Sequence, residues 1–221
     1  MKMKFLILVL LSIFFSSAWA SGISLGATRV VYTTGSKQVS LSVSNGNRET
    51  AFMLQAWVEN EQGKNSNEFI VTPPLFMIKP GQENILRIMH TGKEIPTDKE
   101  SVYWINVKAI PPKPKEGQGQ NTLQLAVLNK IKLFYRPGDL QVTPEKAFDS
   151  LKIEKRAASV NIENPTPYHI TMVNIKINNQ PADSVMVKPF SSLDLRSSGT
   201  VSSFSYQTIN DYGALSNVKN N

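Results

Sequence analysis

The sequence predicts an all-β protein of two small sandwich domains, and three features carry that reading. Short segments alternate apolar and polar residues along most of the chain. Clusters of Pro, Gly and Asn separate them at the spacing of a β-sandwich, and no sustained helical period interrupts them. Val39, Leu41 and Val43 alternate with Gln38, Ser40, Ser42 and Ser44, and Asn45-Gly46 then tolerates positive φ, so a half-buried strand ends in a turn. The next strand carries Phe52, Leu54, Ala56 and Val58, and segments 68–71, 85–89, 102–107 and 123–135 continue the series.

A second series follows a break. Pro137, Gly138 and Pro144 interrupt the long segment 123–135, which predicts an interdomain joint over 138–145 between a first domain at 21–137 and a second at 146–221. Strands of the second domain are expected at 160–162, 170–177, 185–187, 193–195 and 204–208. At about 75 residues this domain is small for an isolated sandwich and is expected to lean on the first.

Residues 1–20 read as a secretory signal. Lys2 and Lys4 give a basic start, Phe5 to Phe15 an apolar run, and Ala18 and Ala20 the small residues of a cleavage site. The run is short for a bilayer span of roughly 20 residues, and no later segment is apolar enough to insert in a membrane. With no Cys, an exported chain must be stabilised by packed cores, and thiol nucleophiles, disulfide scaffolds and zinc–thiolate sites are excluded. The formal charge is +7, of which Lys2 and Lys4 carry two, so the mature chain keeps about +5. No Lys/Arg cluster is dense enough to indicate nucleic acid; Lys113-Pro114-Lys115 reads as a solvated loop. His90 and His169 stand far apart without a ligand pattern, so no metal or cofactor is expected. The motifs of serine hydrolases, P-loop enzymes and zinc proteases are missing, and the chain is not expected to be an enzyme.

The most informative stretch is 121–137, NTLQLAVLNKIKLFYRP, about twice the length of an average strand and unusually apolar. Leu123, Leu125, Val127, Asn129, Ile131, Leu133 and Tyr135 form one side. The other side carries Leu128 and Phe134 among polar residues. Two readings stand: a central strand buried on both faces, which periodicity alone favours, or an edge strand offering apolar side chains to another protein.

Several separated motifs bear on that choice. The run 95–112, IPTDKESVYWINVKAIPP, the early segment 26–32, GATRVVY, the stretch from Leu123 to Pro137, and 209–213, INDYG, together resemble the immunoglobulin-like family of periplasmic pilus chaperones typified by the P-pilus and type 1 pilus chaperones. The resemblance implies two immunoglobulin-like β-sandwiches in an L-shape with an interdomain cleft. It further implies a periplasmic chaperone that binds and stabilises pilus subunits by donor-strand complementation and delivers them to an outer-membrane usher. On that likeness Leu123, Leu125 and Val127 belong to the donor strand, and Arg29 and Lys132 grip the subunit's terminal carboxylate. Glu100, Arg136 and Asp211 form an interdomain ion network. The loop 113–120 is similar to the short form that goes with rod-like fibres. A structural or adhesive fimbrial component is the alternative, with no role for Arg29 and Lys132; self-association of the free chain is left open.

Overall fold

The computed structural model describes residues 22–113 and 123–221; the signal segment 1–20 and residues 114–120 of the loop lie outside the described residues. The first sandwich holds β1 (Ile23–Leu25), β2 (Arg29–Thr33), β3 (Val39–Asn45), β4 (Phe52–Glu59), β5 (Phe69–Thr72), β6 (Leu75–Ile78), β7 (Glu83–His90), β8 (Ser101–Ile110) and β9 (Val127–Arg136). One sheet has the order β1-β3-β7-β5 and the other β2-β9-β8-β4-β6. Period-two alternation fills the space between them: Leu41, Val43, Leu54, Ala56, Val58, Ile105, Val107, Ala109, Leu133 and Tyr135 belong to one buried cluster.

The chain changes sheets between β1 and β2, and this crossing shapes the edge of β9. Gly26 donates its backbone N–H to the Ser42 carbonyl at 2.9 Å. A Cβ there would meet Ser42 Oγ at 2.1 Å, so any larger residue would have to turn the Ser42 hydroxyl aside. β2 then joins β9 in parallel, with Arg29 opposite Lys132 and Thr33 opposite Arg136. Between Val127 and Ile131, β9 is paired with β8 alone among the described residues.

The second domain opens with a short helix α1 (Pro144–Phe148), which begins inside the segment read as a joint. β10 (Lys152–Arg156), β11 (Ser159–Asn164) and β15 (Ser191–Arg196) form one sheet. β12 (Ile170–Ile177), β13 (Gln180–Pro181), β16 (Phe204–Thr208) and β17 (Lys219–Asn220) form the other, with β14 (Val185–Val187) also on β12. Val160, Ile162, Ile170, Met172, Ile175, Val187 and Phe204 make its core.

The two domains share a local device. Buried Asn45 donates Nδ2 to the carbonyls of Thr50 at 2.8 Å and Lys79 at 3.1 Å, while its Oδ1 accepts from the Asn47 N–H. In the second domain buried Asn164 donates Nδ2 to the carbonyls of Tyr168 at 2.7 Å and Lys188 at 2.9 Å, and its Oδ1 accepts from the Thr166 N–H. Each side chain hydrogen-bonds backbone groups of turns that lie outside the strand ladders. Asn164→Ala is expected to lower the unfolding free energy by about 1–3 kcal/mol by orphaning buried backbone groups; urea unfolding followed by circular dichroism checks this.

Candidate functional site

The apolar stretch divides at Val127. Leu123 and Leu125 precede β9, and only Val127 lies within it. The ladder starts four residues later than the expected segment because β8 ends at Ile110 and runs into Pro111-Pro112, which have no N–H to donate. Gln124 substitutes locally, donating Nε2 to the carbonyls of Pro111 at 2.8 Å and Pro112 at 2.9 Å. Leu123, Leu125 and Val127 are 80%, 68% and 57% exposed.

The register explains that exposure. Val127 is opposite Ala109, and Leu133 opposite Tyr103, so the odd residues of β9 share the face that packs into the core. Leu133 and Tyr135 are buried and Ile131 partly so, while Val127 on the same face is exposed. Neither sequence reading describes this fully: one apolar face is core at one end of the strand and exposed at the other.

Arg29 and Lys132 stand side by side across the parallel pair where the free part of β9 ends. Arg29 is 9% exposed, and its Nη1 donates to the Ile209 carbonyl of the second domain at 3.3 Å. Its Nε is buried without a partner. Burial lowers the Arg29 pKa from its ordinary value, against the opposing charges of Asp211 and Glu100. Lys132 donates Nζ to Thr171 Oγ1 at 2.9 Å and lies 5.9 Å from the centre of the Trp104 ring. Burial first, and the neighbouring Arg29 charge second, lower its pKa to about 8. Among the described residues neither cation forms an ion pair with a carboxylate. Two adjacent, partly desolvated cations could together hold an anion, whose charge would offset the cost of keeping both charged.

Arg136, four residues beyond Lys132, is fully engaged. Its Nε donates to Glu100 Oε1 at 2.7 Å, and its Nη1 and Nη2 make a bidentate pair with Asp211 at 2.6 and 2.8 Å. Its guanidinium also lies 5.0 Å from the Tyr168 ring centre. Burial works against the Arg136 charge, yet the bonds to Asp211 and the Glu100 charge outweigh it and raise the pKa. Glu100 is 3% exposed, and its Oε2 accepts from the His169 N–H at 2.8 Å. Both carboxylates are engaged by Arg136, with 1% of the Glu100 side chain and 24% of the Asp211 side chain exposed. Close packing accompanies the network: Gly213 has φ +83°, and a side chain there would meet Thr28 Oγ1 at 2.5 Å. The sequence assigns no part in the site to His169, Thr171 or Ile209, because the backbone amide, hydroxyl and carbonyl that they contribute carry no pattern of their own.

The comparisons with known proteins agree along the chain. The family model described as pili and flagellar-assembly chaperone, PapD N-terminal domain, matches residues 22–141, and that of the pili assembly chaperone PapD C-terminal domain matches 146–219. The chaperone protein FimC of Escherichia coli O6:H1 is 43% identical over 197 residues, covering 88% of this chain and 82% of the relative. The crystal structure of the periplasmic chaperone SfaE is similar at a TM-score of 0.77 and 39% identity, over 90% of this chain and 98% of that one. The SafB chaperone, solved in complex with the Salmonella enterica SafA pilin, has a TM-score of 0.82 and 30% identity, covering 93% and 98%. With both domain models matched in order and relatives of this identity along most of its length, the chain belongs to the PapD family of pili assembly chaperones.

Proposed function

We propose that this chain is a periplasmic chaperone that holds pilus subunits by lending them the free part of β9, with Arg29 and Lys132 gripping the subunit's C-terminal carboxylate. The observation that carries the reading is an alignment on one strand. Among the described residues, three exposed apolar side chains at 123, 125 and 127 lead along an unpaired edge to two cations that form no ion pair. Val127 and Lys132 are five positions apart, about 17 Å along a strand. A partner chain that ends at the cations and pairs with that edge must run parallel to β9, as β2 does. A partner lacking a strand exposes core side chains and unpaired backbone groups together, and a borrowed strand answers both.

Magnitudes favour this division of labour. Each large apolar side chain contributes about 1.5–3 kcal/mol when fully buried, before the costs of association. Charge-assisted bonds to a carboxylate contribute about 1.5–3 kcal/mol each. Since a one-residue slip would turn every side chain to the opposite face, the anchored terminus sets register as well as strength. The signal segment and the relative described as periplasmic support the location. A pilin in complex with the SafB chaperone supports the partner class. Delivery to an outer-membrane usher, without a cofactor or catalysis, completes the proposal. The fimbrial-component alternative gives the cation pair nothing to bind, and the curated relatives are chaperones.

Arg29→Ala and Lys132→Ala are each expected to weaken subunit capture at least tenfold while the fold is retained; co-purification from periplasm and a thermal melt read the two effects separately. Leu125→Glu should abolish capture and leave the melt of the free protein nearly unchanged, since its side chain is already in water.

Capture should also depend on pH. A bound carboxylate favours the ammonium form, so binding raises the Lys132 pKa from its free value of about 8 and takes up a proton. Affinity is therefore full below about pH 8 and falls as pH rises above it, by up to tenfold per unit, until the pKa of the complex is passed. Titration of subunit binding between pH 6 and 10, followed by Trp fluorescence, checks the sign.

A further inference from the structure

The second domain touches both cations through two neighbouring backbone positions. Thr171 Oγ1 accepts from Lys132 Nζ at 2.9 Å, and the Ile209 carbonyl accepts from Arg29 Nη1 at 3.3 Å. The Ile209 N–H in turn donates to the Thr171 carbonyl at 3.1 Å, so the two contacts belong to one unit. Two residues along each segment lies an anchor. His169 N–H is held by Glu100 and Asp211 by Arg136, which fixes where Thr171 and Ile209 meet the first domain. Thr171 is 7% exposed, and no other hydrogen bond to its hydroxyl is present among the described residues.

We propose that Thr171 is a positioning residue of the carboxylate clamp: its hydroxyl holds the Lys132 ammonium from the second domain, so the anion site is complete only when the domains are docked. The inference rests on the reading of Arg29 and Lys132 as a carboxylate clamp. An ammonium has three N–H donors and four rotatable bonds behind it. Engaging one donor on a buried acceptor fixes the direction of the other two. The same oxygen partly replaces the water that burial removes from Nζ, which favours the charged form. Interdomain adhesion alone would not require the Thr171 contact to fall on Lys132, because the Arg136 network already joins the domains through stronger bonds.

The test uses the mature chain and a synthetic peptide of alternating apolar residues, made as the C-terminal free acid and as the amide. Wild-type protein is expected to prefer the acid, with the preference declining above about pH 8. Thr171→Val, which keeps the side-chain shape, is expected to reduce the acid preference about tenfold and to move the decline to lower pH. Thr171→Ser should restore both. A Thr171→Val protein that keeps the wild-type preference and pH profile overturns the role of Thr171 alone. So does a folded Thr171→Ser protein that loses them. A wild-type protein that binds acid and amide alike overturns the clamp and the Thr171 role together.

Discussion

The Arg136 guanidinium is the constraint on which the rest depends. It accepts no freedom: three short bonds tie it to Glu100 of the first domain and Asp211 of the second, and Glu100 continues to the His169 backbone. Buried ion pairs of this kind add little net stability, since the charges lose their water before they gain each other. What they do supply is direction. A misdocked arrangement would leave a buried arginine or glutamate unpaired, which costs several kcal/mol, so the network selects one placement of the second domain. Thr28 packed against Gly213, whose φ of +83° favours glycine, reinforces the same placement.

From that placement follows the contrast between three cations on two adjacent strands. Arg136 is saturated by carboxylates, whereas the hydrogen bonds of Arg29 and Lys132 among the described residues go to neutral oxygens of the second domain. Neutral acceptors orient the cations without cancelling their charge. Lys132 shows the consequence, with a pKa brought down to about 8 by burial and by Arg29. On the proposed function, two like charges held close together in a partly desolvated setting await the carboxylate that a subunit brings. The edge of β9 has the same character: Gly26 and the sheet crossing keep β2 away from Val127 to Ile131, and Pro111-Pro112 ends β8 before Leu125.

Much of the fold could be read from local pattern. Strands β12, β14 and β16 fall on the segments 170–177, 185–187 and 204–208 given by alternation and turn residues. Alternation does not mark β6 or β10, since Leu75–Ile78 is a continuous apolar run behind two prolines and Lys152–Arg156 is almost wholly polar. The site was less legible. Periodicity separated the two faces of β9 but could not say where the covering sheet stops, which is a tertiary fact. The resemblance named Arg29, Lys132, Glu100, Arg136 and Asp211, and the structure brings these into two adjoining groups. Thr171 and Ile209 were visible only once the domains were docked, because their contributions are a hydroxyl and a carbonyl in otherwise ordinary strand sequence.

Hydrogen exchange at the backbone amides between Val127 and Ile131 tests the central claim most directly. In the free protein, the amides that face away from β8 should exchange rapidly, as expected of an unpaired edge. On addition of a pilus subunit they should become strongly protected, together with the segment from Leu123 onward. Rapid exchange at those amides in a complex of demonstrated stoichiometry would contradict the account, because the subunit would then be held by some other surface.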